Sequence, residues 1–303
     1  MKKKISFTLV GIILLGCIII YFTSRPTETK DGSYIPSPLA LQLATAATTD
    51  FDNTVYQNTY TGNKKVLMIC TEQKNMTMAN GKKFSTGNHP VEILLPLLHL
   101  RNAGFEIDVI TPNGKPVVIE KWAMPKDDEQ VKKIYTEFNN KFENPINLAH
   151  FVANTMSESS DYAAIFIPGG HGAMLGLPEN KDVNKILHWS HDNDLFTLAI
   201  CHGPAALLAA RLDSNKEDYL YKGYQIAAFP DKVDEQGAKI GYTPGPMPYK
   251  YGEKLNDLGV TIVNEDADDT VHQDRKLITG ASPLAANNFG KLAATALLKE
   301  VHQ

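Results

Sequence analysis

The run FTLAICHGPAALL at residues 196–208 carries the most chemical information in the chain. An apolar, strand-like stretch ends at Cys201-His202, and Gly203-Pro204 then opens an Ala/Leu-rich helix. A strand that turns sharply into a helix lifts the turn side chain out of the sheet, beside the unpaired amides of the helix N-terminus. A thiol placed there is expected to gain thiolate character, because the helix end favours negative charge and an adjacent imidazole holds the proton. Cys201 is thus the candidate nucleophile and His202 its candidate base. The competing reading is a buried core cysteine.

Three further features bear on that reading. Glu92 follows Asn88-His89-Pro90 at the start of a leucine-rich helix. It is either a general acid/base close to Cys201, its pKa raised by partial burial, or an ordinary solvated residue of a first helical turn. The PGGHG loop at 168–172 ends a strand, and its glycines let backbone N–H groups approach a ligand. Gly169, Gly170 and His171 therefore form a candidate oxyanion hole and substrate-binding loop. Of Asp231 and Asp234, one carboxylate can orient His202 in triad fashion, the alternative being a helix cap. No HExxH, Cys/His cluster or GxxxxGK[ST] loop is present, so neither a metal nor a phosphate-bearing cofactor is expected.

Positioning these groups requires alternating strands and helices. Strands are expected at 65–70, 105–110, 162–167, 196–201, 224–229, 260–263 and 276–280. Helices are expected at 89–103, with leucines on one face, and at 181–193 and 283–300. This alternation implies an α/β fold with a mostly parallel sheet, whose ligands bind beyond the carboxyl ends of the strands. Residues 115–153 break the pattern with Trp122, many charges and a helical stretch. They read as a small inserted lobe that walls the site, or else as a surface excursion.

The 303 residues hold a 43% hydrophobic and 21% charged composition, that of an ordinary globular protein. A net charge of −4 argues against nucleic acid as a partner. Three cysteines, one of them Cys17 near the N-terminus, rule out a disulfide framework. Lys2-Lys3-Lys4 precedes an uncharged apolar stretch at 5–22, which reads as an uncleaved anchor over 1–24 in the cell membrane, with the lysines on the cytoplasmic side and the body extracytoplasmic. The alternative is a lipoprotein signal with lipidation at Cys17. Residues 25–63 then form a linker and arm, and 64–303 the α/β domain.

Taken together, KFSTGNHPVEILLPLLHL (83–100), WAMP (122–125), AIFIPGGHGAMLGLP (164–178), AICHGPAA (199–206), AFPDKVD (228–234), GYTPG (241–245) and RKLITGASPLAA (275–286) resemble the PfpI-like superfamily. The resemblance is to its HchA-type branch of heat-shock chaperones and glutathione-independent glyoxalases. It implies a flavodoxin-like sandwich, often homodimeric. In it Cys201 matches the nucleophile, His202 and Asp234 the triad partners, and Glu92 the carboxylate that contacts the cysteine. Gly170 and the His202 amide fall where the oxyanion donors would be. Some relatives bind a metal through a His-Glu-His set near the active-site mouth. Here Glu106 remains, but Arg101 and Phe138 replace the histidines, so that site is expected to be absent.

The implied activity is conversion of methylglyoxal-type 2-oxoaldehydes to 2-hydroxy acids, with deglycation of proteins by the same nucleophile. Two alternatives stand beside it. One is a chaperone that holds unfolded clients on exposed apolar surface; the other is a cysteine peptidase or amidase.

Overall fold

A computed structural model describes residues 23–157, 161–212 and 216–302. Seven strands form the main sheet, in the order Val271–Asp274, Leu277–Gly280, Phe196–Ile200, Tyr162–Ile167, Lys65–Ile69, Glu106–Thr111 and Ile146–Asn147. All neighbours run parallel except the edge strand Val271–Asp274, which pairs antiparallel with Leu277–Gly280. The five longer parallel strands follow the flavodoxin-like order 2-1-3-4-5. The Lys65–Ile69 strand shows why both faces need cover. Val66, Met68 and the following Cys70 enter one apolar cluster, while Leu67 and Ile69 enter the other.

The helix Pro90–Asn102 packs against Ala286–Val301 and Glu129–Glu143 on one face. Its leucines were expected on a single side, but Ile93, Leu94, Leu95, Leu97, Leu98 and Leu100 are all buried. A helix enclosed by a sheet and two other helices has no side left for water. The opposite face is covered by Lys181–Asp192 and by Gly203–Arg211, which winds as a tighter 3₁₀ helix.

Several expectations change in the structure. Residues 224–229 pair only over Gln225–Ile226, in a separate two-stranded ribbon with Thr261–Ile262. Side chains take over the next two backbone donors: Thr279 Oγ1 accepts from Ala227 N at 2.8 Å and Asn264 Oδ1 from Ala228 N at 2.9 Å. The segment expected as an inserted lobe packs into the body, with Val131, Ile134, Phe138 and Phe142 in the core cluster. Strands Thr27–Glu28 and Ser33–Ile35 of the arm join Lys83–Ser85 and Asn75–Thr77 in a small second sheet.

The membrane placement is corrected. The stretch at 5–22, including Cys17, lies outside the described residues, and among the described residues no helix is long and apolar enough to cross a membrane.

Beyond the carboxyl end of the Lys65–Ile69 strand, Asn88 ties the chain together. Its Oδ1 accepts from Thr71 N at 3.1 Å, and its Nδ2 donates to the Thr71 and Val118 carbonyls at 2.9 and 2.8 Å. Asn88→Ala strands the buried Thr71 amide. The expected cost is about 1–3 kcal/mol, read as a lower urea midpoint at unchanged m-value.

Candidate active site

The Phe196–Ile200 strand ends at Cys201, whose backbone adopts φ 59°, the left-handed conformation of a strained elbow. Cys201 Sγ lies 3.2 Å from His202 Nδ1, and His202 Nε2 lies 3.0 Å from Asp234 Oδ2. An ionised carboxylate only accepts, so Nε2–H donates to Asp234 and Nδ1 is left to receive the thiol proton. Phe229 stacks on the His202 ring at 4.6 Å and fixes its plane. Asp231 does not share the Asp234 position. It accepts from the Gly252 and Glu253 amides at 3.1 and 2.8 Å, at the start of the Tyr251–Asp257 helix.

The PGGHG loop meets this elbow from the neighbouring strand. A Cβ on Gly169 would stand 2.2 Å from Glu92 Oε2 and 2.8 Å from Cys201 Cβ. No side chain fits between the carboxyl and the cysteine. Gly170, at φ 91°, turns its amide toward both groups, and that amide pulls the proton affinity of each down. His171 sits differently from an oxyanion donor: its Nε2 bonds Asp234 Oδ1 at 3.0 Å. The carboxylate thus holds two histidines, whose rings lie 4.1 Å apart.

Glu92 is fully buried, which removes the solvated reading. Neither of its oxygens has a hydrogen-bond partner; Cys201 and the Gly170 amide are close enough to bias its proton but fall outside hydrogen-bond geometry. Burial raises its proton affinity well above that of an ordinary carboxylate. The expected thiolate character of Cys201 is corrected on similar grounds. The side chain is 3% exposed, and burial, followed by the charge of Glu92, pushes the thiol up. Cys201 therefore rests as a thiol with the His202 imidazole in contact, and the 3₁₀ helix behind it does not overcome desolvation.

Burial also keeps His202 neutral, with the charge of His171 adding to the effect. It works against His171 as well, but there the charge of Asp234 prevails and His171 is raised. Asp234 lies far below the carboxylate range because His202 and His171 together outweigh its burial.

A cavity of about 300 Å³ opens over Cys201. Its depth holds Glu92, Glu120, His89, His171, His202 and Asp234. Its mouth is aliphatic, with Leu43, Ile240 and Leu284 at 72%, 48% and 63% exposure. Glu120 and His89 were not anticipated, since a lone carboxylate in a charged segment and a histidine before proline carry no distinguishing signal. A wider concavity around Glu179, Arg211 and Lys254 contains none of the candidate residues.

His171, His202 and Asp234 are the described residues whose ligand atoms cluster closely enough to hold a metal, yet those atoms already hydrogen-bond one another. The residues matching the relatives' His-Glu-His set lie elsewhere. Glu106 begins its strand at the rim opposite Cys201 and pairs with Lys65, Arg101 pairs with Glu137, and Phe138 is buried. They do not line the cavity mouth.

Burial holds His89 down to about 3, with the charges of His171 and His202 adding to it. A histidine kept neutral in the fold binds its proton only when unfolded, so its contribution is present above about pH 6.5 and is lost as pH falls. Relative to His89→Gln, the wild-type chain is expected to lose about 1.4 kcal/mol of stability per pH unit below 6.5. Paired urea titrations from pH 7 to 4 measure the difference, and parallel curves contradict it.

Comparison with known proteins agrees with this architecture. The DJ-1/PfpI family profile matches residues 84–296. A Pseudomonas aeruginosa protein named protein/nucleic acid deglycase HchA is 48% identical over 278 residues, 91% of this chain and 96% of its own. A Staphylococcus aureus protein of the same name is 45% identical, over 91% and 94%. The crystal structure of glyoxalase III from Candida albicans superposes with a TM-score of 0.60 at 26% identity, covering 76% of this chain and 97% of its own. A Francisella tularensis rapid encystment protein shares the fold, with a TM-score of 0.64 at 22% identity over 77% and 99%. With a flavodoxin-like sheet, a cysteine elbow and relatives matched over nearly their whole length, the chain belongs to the DJ-1/PfpI family.

Proposed function

We propose that this chain is a glutathione-independent glyoxalase and deglycase that acts through Cys201. Its substrates are small 2-oxoaldehydes and their early adducts on proteins. The observation that carries the reading is the contact chain Cys201–His202–Asp234 beside the buried Glu92, at the floor of a single cavity. The names of the matched relatives point to the same chemistry, and the chaperone and peptidase alternatives have no comparable support.

Neutral His202 takes the thiol proton through Nδ1, and Asp234 steadies the imidazolium that results. The sulfur adds to the aldehyde carbon, and the Gly170 amide faces the oxygen on which charge develops. A hemithioacetal, Cys201–S–CH(OH)–CO–R, is formed. The carboxylate form of Glu92, made a strong base by its burial, takes the proton from the sulfur-bound carbon and returns it to the next carbon through an enediol. The product of that step is a thioester, Cys201–S–CO–CH(OH)–R. Water activated by His202 cleaves it and releases the 2-hydroxy acid. Attack of Cys201 on the carbinol carbon of a glycated side chain frees that side chain and enters the same sequence. No redox partner is needed, because the oxidation of one carbon matches the reduction of its neighbour.

The test is formation of lactate from methylglyoxal by the purified full chain and two variants. Cys201→Ala is expected to abolish turnover. Glu92→Gln is expected to lower it by roughly 10²–10⁴-fold, while Cys201 still reacts with iodoacetamide. An unchanged rate in Cys201→Ala excludes the mechanism.

A further inference from the structure

The mechanism above leaves one buried acid of the cavity unused. Glu120 is 2% exposed and lines the same cavity as Cys201. Its position is fixed at both ends. The backbone N–H donates to the Asn88 carbonyl at 3.0 Å, and the Thr86 hydroxyl donates to Oε1 at 2.6 Å. Oε2 has no partner. Because Oε1 already receives a hydrogen bond, a protonated Glu120 carries its proton on Oε2. A neutral carboxyl held in this way presents an O–H donor to whatever occupies the cavity.

Resting on the glyoxalase reading, we propose that Glu120 is a further catalytic residue, whose Oε2–H hydrogen-bonds the second carbonyl oxygen of a 2-oxoaldehyde held on Cys201 and protonates it as the enediol forms. The isomerisation needs such a donor. Removing the proton from the sulfur-bound carbon leaves negative charge that moves onto the neighbouring carbonyl oxygen, and a fixed donor there lowers that barrier. The proton ledger closes within the site. Glu92 carries the carbon-bound proton from one carbon to the next. Glu120 gives its proton to the second oxygen and regains one from the hydroxyl of the first, as that oxygen becomes the thioester carbonyl. Addition of the sulfur to the aldehyde does not involve Glu120, so the residue separates 2-oxoaldehydes from simple aldehydes at the isomerisation step.

The surroundings support a neutral acid. Burial raises Glu120 to about 7, against the opposing pull of the His171 charge, the Thr86 hydroxyl and the nearby Gly87 and His171 amides. Across the cavity it faces Glu92, His89, His171 and Tyr242, and its charge raises Glu92, His171 and Tyr242. On its outer side, Lys74, Lys121 and Glu143 line a separate surface concavity.

Glu120→Ala and Glu120→Gln test the assignment in the full chain. Glutamine keeps a donor but cannot release a proton. The alanine variant is expected to lose roughly 10²–10³-fold in kcat for methylglyoxal, with little change in KM. The glutamine variant is expected to lose less. Wild-type kcat falls as pH rises through about 7, since the acid form is the active one, and Glu120→Gln lacks that decline. Alkylation of Cys201 by iodoacetamide is unaltered in both. The proposal is overturned if the alanine variant turns over like wild type, or if the alkaline decline persists in Glu120→Gln. It is equally overturned if both variants lose Cys201 alkylation together with activity. Should the alanine variant not fold, the glutamine pH profile decides alone. A wild-type chain that forms no lactate overturns the glyoxalase reading and this assignment with it. An active wild type whose decline survives in Glu120→Gln overturns this assignment only.

Discussion

The left-handed backbone at Cys201 is the constraint on which the rest of the site depends. A non-glycine residue held there costs about 1–3 kcal/mol, and the surrounding hydrogen bonds offset it. Cys201 N donates to the Gly280 carbonyl at 2.8 Å, while Phe229 N donates to the Cys201 carbonyl at 3.0 Å. The buried Tyr251 hydroxyl lies between the carbonyls of Cys201 and Phe229, at 2.9 and 2.6 Å. Relaxing this turn would swing the sulfur away from His202 and back into the sheet. Tyr251 lies 50 residues downstream in the chain, so strain in one turn is balanced by tertiary contacts from another part of the fold.

Electrostatics around the sulfur follow from one carboxylate shared by two imidazoles. Asp234 stays ionised because both rings donate to it, and the crowding of those rings lets His171 take up a proton before His202 does. The division of labour is useful. His171 balances the charge of the acid, and His202 remains a free base facing the thiol. Burial raises the proton affinity of Glu92 and Glu120 on the other wall. The chamber thus holds acids and bases side by side, with few net charges to desolvate.

Much of this arrangement was legible in the residues. The elbow at Cys201-His202 and the glycine loop follow from local turn chemistry and strand order, which are short-range properties. Turn chemistry left Asp231 and Asp234 open, and only the family resemblance singled out Asp234. The burial of Glu92 was not legible. The first turn of an isolated helix is wet, and here the loop at Gly169 closes over Glu92 against Cys201. His171 was assigned to the loop's amides because its ring partner lies 63 residues away in sequence. The thiol was expected to ionise because a helix start and an imidazole were visible in sequence, whereas the desolvation that outweighs them is a property of the folded cavity. The edge strand Val271–Asp274 was missed because its pattern, VHQD, does not alternate as a half-buried strand does. Glu120 shows the same limit: its meaning comes from Thr86 and Asn88, both distant in sequence.

The aliphatic rim of Leu43, Ile240 and Leu284 gives the chamber a direction of traffic. An uncharged oxoaldehyde crosses a greasy doorway with little loss of hydration, whereas a carboxylate is born inside, near Asp234, whose charge is fixed. A carboxylate is costly to hold where water is scarce. The newly formed acid therefore gains solvation by leaving, and hydrolysis itself clears the floor for the next molecule.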